Sequence, residues 1–137
     1  MKKILYFMFV SMFLLVACKS PSSSSNSDTN EPVAAVPADY AGRTNPLGAE
    51  AATEGSKVFK SNCEACHGVQ GHGDGPAAGA LDPQPKNLAV FQKIVGDDYL
   101  FWRISEGKPG TSMVAWKGIL TEEQIWQAVS FIRQLSE

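Results

Sequence analysis

The chain has 137 residues, 44% of them hydrophobic, with 12 Lys plus Arg against 14 Asp plus Glu for a net charge of −2. That length allows one small domain and little else, and a core of this size gains from a metal or cofactor that adds to it. The charge balance excludes the basic footprint of a nucleic-acid binder. The three cysteines, an odd number, argue against a simple disulfide framework.

At the N-terminus, Lys2 and Lys3 precede an apolar run from Ile4 to Val16. The run is too short for a membrane-spanning helix of about 20 residues, and residues 1–17 read as an export signal. Its end, Leu15-Val16-Ala17-Cys18, resembles the lipobox of bacterial lipoproteins, which implies cleavage before Cys18 and acylation of that cysteine. An ordinary secretory signal carrying a chance cysteine is the other reading. Loss of Lys2 and Lys3 with the signal leaves 10 basic against 14 acidic residues, a net charge of −4. Several acyl chains, at about 0.8 kcal/mol per buried methylene, would hold the protein on a bilayer without spanning it.

Residues 18–45 shift to Ser, Asn, Pro and Ala, with Ser22 to Ser25 consecutive. Such a composition cannot bury enough apolar area to offset its ordering entropy, so a flexible tether is expected. Residues 46–137 form the domain. Ala49 to Asn62 is rich in helix formers and predicts a first helix. From Gly68 to Pro85 the chain is dense in Gly and Pro and predicts a long loop, ordered if it has something to wrap. Asp97 can cap a helix through Tyr99, Leu100, Trp102 and Ile104, with Gly107 as its stop. Thr121 and Gln124 form a capping box, followed at helical spacing by Ile125, Ala128, Val129, Ile132 and Leu135. With no alternating strand pattern in the domain, the fold class is all-α.

Cys63-Glu64-Ala65-Cys66-His67 is the C-x-x-C-H pattern of covalent c-type haem attachment. In a helical turn, positions three and four apart share a face, so both thiols and the imidazole point to one side. The thiols can add to the vinyl groups along one edge of a porphyrin, and His67 brings a neutral nitrogen to its iron. A thioredoxin-like pair would need a strand before the motif and a helix after it. A structural zinc site would need two ligands beside Cys63 and Cys66, and only His67, adjacent to Cys66, and His72 are available once Cys18 is acylated. A chance disulfide is the third alternative.

Met113 is the single methionine outside the signal. It sits in the polar loop Gly107-Lys108-Pro109-Gly110-Thr111-Ser112, where a core gap-filler has little to fill. A thioether opposite imidazole favours reduced iron, so His67 and Met113 are the expected axial ligands. His72, in the loop beside the attachment motif, reads as a solvated histidine, with bis-histidine ligation as a minor alternative.

These features resemble the class I c-type cytochromes, in particular small bacterial monohaem domains. The resemblance runs from about Asn45 to Leu135 and includes Gly55 and Phe59, Cys66-His67-Gly68, Gly71 to Pro76, Leu81 to Pro85, and Trp102-Arg103-Ile104 ahead of Met113. It implies a small cytochrome c fold of three to five helices wrapped around one covalent haem c. It implies a close crossing of the first and last helices at Gly55 and Phe59 against Ala128 and Phe131. It further implies that the Pro76 carbonyl accepts a hydrogen bond from His67 and that Trp102 and Trp116 pack around the haem. Val114 departs from the family pattern, in which proline commonly follows the methionine.

The expected function is electron transfer without substrate chemistry, by a carrier exported to a bacterial membrane and facing the periplasm or cell exterior. Expected partners are membrane redox proteins, such as a quinol-oxidising complex and a terminal oxidase or reductase, together with the bilayer through Cys18. A fixed haem subunit of a respiratory oxidoreductase is the nearest alternative. A haem peroxidase or a gas sensor with a labile Met113 is the more distant one.

Overall fold

The computed structural model describes residues 32–137; the signal, Cys18 and the serine run lie outside the described residues. Five α-helices follow in order: α1 (Ala52–Asn62), α2 (Glu64–His67), α3 (Leu88–Phe91), α4 (Asp97–Glu106) and α5 (Glu122–Ile132), with short 3-10 turns at Ala49–Ala51 and Ala78–Ala80. The architecture is all-α. Its extended pairing among the described residues is one isolated bridge, Lys117 with Leu120.

Helix α1 buries Ala52, Gly55, Val58 and Phe59, a three-and-four spacing that makes one face. The face crosses α5, which buries Ile125, Trp126, Ala128, Val129 and Ile132. Gly55 makes the crossing close: a Cβ there would lie 1.9 Å from the Gln127 carbonyl oxygen and 3.0 Å from the Phe131 Cβ. Phe59 and Phe131 meet one turn further on, ring centroids 5.0 Å apart. The expected crossing is present, with the Gln127 backbone as the nearest neighbour of Gly55.

The capping box at α5 is formed from both sides. The Gln124 amide donates to Thr121 Oγ1 at 3.1 Å and the Thr121 amide donates to Gln124 Oε1 at 2.9 Å, satisfying two N–H groups that the first helical turn leaves unpaired. The helix ends at Ile132, and Leu135, expected on its face, packs against the core from beyond the helix.

Helix α4 is capped by Gly96, with Asp97 already inside its first turn. The Asp97 carboxylate accepts instead from Arg133 Nε at 2.8 Å and from the Asn45 amide at 3.2 Å. Arg133 also donates to the carbonyls of Gln92 and Val95, so one guanidinium ties the end of α5 to the turn before α4. Gly107, at φ +67°, stops α4 as expected. On its inner face, Phe101 stacks on Trp126 with centroids 4.1 Å apart.

The folded unit reaches back beyond the expected start at Pro46. Tyr40 packs on Phe101 at 6.1 Å, and the Arg43 guanidinium sits over the same ring at 4.3 Å. Asn45 Nδ2 donates to the Trp126 carbonyl and to Ser130 Oγ at 3.1 and 2.9 Å. Residues 37–45 thus form a strap across α4 and α5. Average composition hid it because three side chains, not an apolar run, make its contacts.

Candidate functional site

The attachment motif continues straight out of α1. The Cys63 amide donates to the Phe59 carbonyl at 2.8 Å, and the Cys66 and His67 amides both donate to the Cys63 carbonyl, at 3.1 and 2.9 Å. This helical turn puts Cys63, Cys66 and His67 on the wall of one cavity of about 680 Å³. Both cysteines are unbridged and half-buried. Burial, with the neighbouring Cys66 as a smaller cause, pushes the Cys63 thiol up to about 12.

The glycine-dense loop is ordered by what it folds over. The Gly73, Gly75 and Ala77 amides donate to the carbonyls of His67, Cys66 and Ala65 at 2.8, 3.2 and 2.9 Å, closing the carbonyl end of α2. A Cβ at Gly75 would lie 2.5 Å from the Ala65 oxygen, so only glycine permits this approach.

His67 Nδ1 lies 3.2 Å from the Lys86 carbonyl oxygen. A carbonyl can only accept, so Nδ1 carries the proton and Nε2 keeps its lone pair. Burial lowers the His67 pKa, more than the Lys86 contact raises it, favouring the neutral imidazole that binds iron. The expected acceptor, Pro76, is therefore corrected to Lys86. Pro76 lies between Gly75 and Ala77, which bind the carbonyl end of α2, and it is not part of the cavity wall. The Leu88 amide, donating to Gly71 O at 2.6 Å, returns the chain so that Lys86 reaches the ring.

Met113 lines the same cavity. Its loop is closed by the Lys108 amide donating to the Met113 carbonyl at 3.0 Å, by Thr111 Oγ1 donating to the Lys108 carbonyl at 2.8 Å, and by the Met113 amide donating to Thr111 Oγ1 at 3.2 Å. Gly107, where a Cβ would lie 2.5 Å from Met113 O, lets the loop pack on the end of α4. These bonds brace the loop without a proline at Val114.

Trp116 is on the cavity wall, and Trp102 is not. The Trp102 ring meets Tyr99 edge-on at 5.6 Å and lies under the Arg103 guanidinium at 3.9 Å, so Trp102 stands one layer behind the cavity. His72 borders the cavity, with Nε2 3.4 Å from the Ser136 carbonyl oxygen. Among the described residues, no group of three or more His, Cys, Asp or Glu side chains is placed to hold a metal ion, so the zinc reading has no ligand set there.

Sequence reasoning missed most of the wall. Phe59, Phe91, Leu100, Ile104 and Ile132 supply apolar surface, and Lys86 and Arg103 supply charge. The helical faces of α4 and α5 carried a signal for burial, but nothing in it separates core from cavity. The volume is within the roughly 300–1,000 Å³ of cofactor pockets, and a mostly apolar wall carrying two thiols, an imidazole and a thioether fits a haem.

An all-helical shell around that donor set defines a small c-type cytochrome of class I type. The chain belongs to the cytochrome c family, which its residues 52–136 match. It is 31% identical over 78 residues to "Cytochrome c6" of Synechococcus elongatus, spanning 57% of this chain and 83% of that protein. Among solved structures it resembles a chain of the Kuenenia stuttgartiensis reducing HAO-like protein complex, with a TM-score of 0.60 and 25% identity over 78% of this chain and 51% of that one. A second, the KustC0563 c-type cytochrome, gives a TM-score of 0.51 and 29% identity over 61% of this chain and 98% of that one. Cytochrome CL of Methylophaga aminisulfidivorans, at 24% identity and a TM-score of 0.50, shares the fold. The chain spans about half the length of the first and the last of these structures. It carries a single covalent c-type haem and is an electron-transfer protein rather than an enzyme.

Proposed function

We propose that this cytochrome is a membrane-anchored one-electron carrier, with Cys63 and Cys66 bonded to the haem, His67 and Met113 as axial ligands, and acylated Cys18 as the anchor. The observation that carries this reading is that all four haem-binding side chains line one cavity. The haem iron supplies a ferric/ferrous couple. The chain's own residues keep the site dry, hold the imidazole through the Lys86 carbonyl and present the thioether from a self-bonded loop. Such a fixed shell needs little rearrangement as charge changes.

An acylated Cys18 puts the anchor 14 residues ahead of Pro32, which with Val33 and Ala34 lines the haem cavity. That suits a domain facing the periplasm and meeting membrane redox proteins, such as a quinol-oxidising complex and a terminal oxidase or reductase, through small transient interfaces. Among the described residues, no helix is long and apolar enough to cross a membrane. A fixed subunit of a respiratory oxidoreductase is the second reading, favoured by the Kuenenia neighbour's description as part of a complex.

The test is to purify the matured protein and weigh it after denaturation. The expected mass is chain plus one haem, lost in the Cys63→Ser/Cys66→Ser variant, and the Cys18→Ser variant leaves the membrane fraction. A chain without haem overturns the attachment, and a Cys18→Ser protein still on the membrane overturns the lipid anchor.

A further inference from the structure

Three residues of the cavity wall come from outside the stretch that matches the cytochrome c family. That match begins at residue 52, yet Pro32, Val33 and Ala34 line the cavity together with His67 and Met113. They open the run Pro32-Val33-Ala34-Ala35-Val36-Pro37-Ala38, which has no polar side chain before Asp39, whereas every residue from Ser22 to Glu31 is polar. The change in chemistry falls where the chain reaches the cavity.

The run is fixed at its far end and restricted along its length. The Tyr40 and Ala41 amides both donate to the Pro37 carbonyl at 2.9 Å, and Tyr40 packs on Phe101, so Pro37 belongs to the strap three residues after Ala34. Proline locks φ at positions 32 and 37 and keeps Val36 extended, so ordering this stretch costs less entropy than ordering serines would. Val33 is 44% exposed and Val114 58%. Both are on the wall, so they stand where the cavity opens. The other exposed large hydrophobics among the described residues, Val69, Ile94 and Ile119, lie off it.

We propose that Pro32, Val33 and Ala34 are haem-contact residues, an apolar section of the pocket that this chain adds ahead of the family-matched residues. The assignment rests on the haem reading above. None of the three side chains has a polar group to satisfy, so the section excludes water from the opening. Ferric haem carries one more positive charge than ferrous haem, and a drier surrounding disfavours the more charged form. The added wall therefore favours ferrous iron and raises the potential.

The test uses full-length holoprotein, weighed after denaturation, as wild type, Val33→Ser, Val33→Ser/Ala34→Ser and Ile119→Ser. Potentials are measured at pH 7, and the Val33 and Ile119 methyl signals of wild type are followed by NMR in both oxidation states. Ferric iron is paramagnetic, so the Val33 methyls are expected to move between the two states by far more than those of Ile119. The double variant is expected to shift the equilibrium about threefold toward ferric, about 28 mV at 59 mV per tenfold for one electron, while Ile119→Ser keeps the wild-type potential. Val33→Ser shifts it less in the same direction and serves alone if the double variant yields no holoprotein. Val33 methyls that ignore the oxidation state, or haem-bearing Val33 variants with the wild-type potential, overturn the contact. Absence of haem from the wild-type mass overturns the attachment reading instead.

Discussion

The Nδ1 atom of His67 faces the carbonyl oxygen of Lys86 at 3.2 Å, a contact that joins the attachment helix to a segment reached only after the whole glycine loop. Gly73 controls it. At φ +78°, with a Cβ that would lie 2.4 Å from Pro85 O and 3.2 Å from the Lys86 carbonyl carbon, this position accepts only glycine without moving the acceptor. Gly73→Ala is therefore expected to weaken the bond, make the imidazole a less basic ligand and raise the potential. Pro76→Ala should leave the potential unchanged. Voltammetry of both holoproteins checks the contrast, and the opposite ranking would return the acceptor role to Pro76.

The α1/α5 crossing predicts a stability effect without a change at the iron. Gly55→Ala puts a methyl group into the Gln127 carbonyl, and overpacking of this kind costs roughly 1–3 kcal/mol. A urea titration should show a lower midpoint with an unaltered absorption spectrum. An unchanged midpoint would mean that the helices part at no cost.

A pH signature belongs to the strap. Hydrogen bonding from Tyr40, then from Lys117, lowers the Glu106 carboxyl below its ordinary 4.5. A depressed folded value contributes stability that is present above 4.5 and lost as pH falls through the folded value. Because the group is solvent-exposed, the effect is read best as a titration. Tyr40→Phe is expected to move the Glu106 midpoint, followed by carboxyl NMR, back toward 4.5, and no movement would show that the strap does not touch the carboxylate.

What could be read in advance follows from where each signal resides. Cys63, Cys66 and His67 announce themselves because a covalent chemistry needs those side chains at that spacing, and Thr121 with Gln124 does so because capping is local. Helix α3, four residues long and capped by Asn87, is too short for a period to show. The Lys86 acceptor is a backbone carbonyl, a group every residue has, so no side-chain pattern could mark it in place of Pro76. Trp102 and Trp116 look alike in sequence; only the rotation of α4 and the path of the following loop decide which faces the cavity. Tyr40, Arg43 and Asn45 were concealed in a polar, proline-containing stretch because their partners, Phe101, Trp126 and Ser130, lie far along the chain.

The central claim is that the chain holds its haem iron between His67 and Met113, and the Met113→Ala holoprotein tests it most directly. Axial ligands set haem potentials over a range of roughly 0.8 V, and loss of a thioether removes the ligand that favours ferrous iron. The variant is predicted to keep its covalent haem, lose the methionine–iron features of the ferric spectrum and drop in potential by on the order of 0.1–0.2 V. A Met113→Ala protein with the wild-type spectrum and potential would contradict the account.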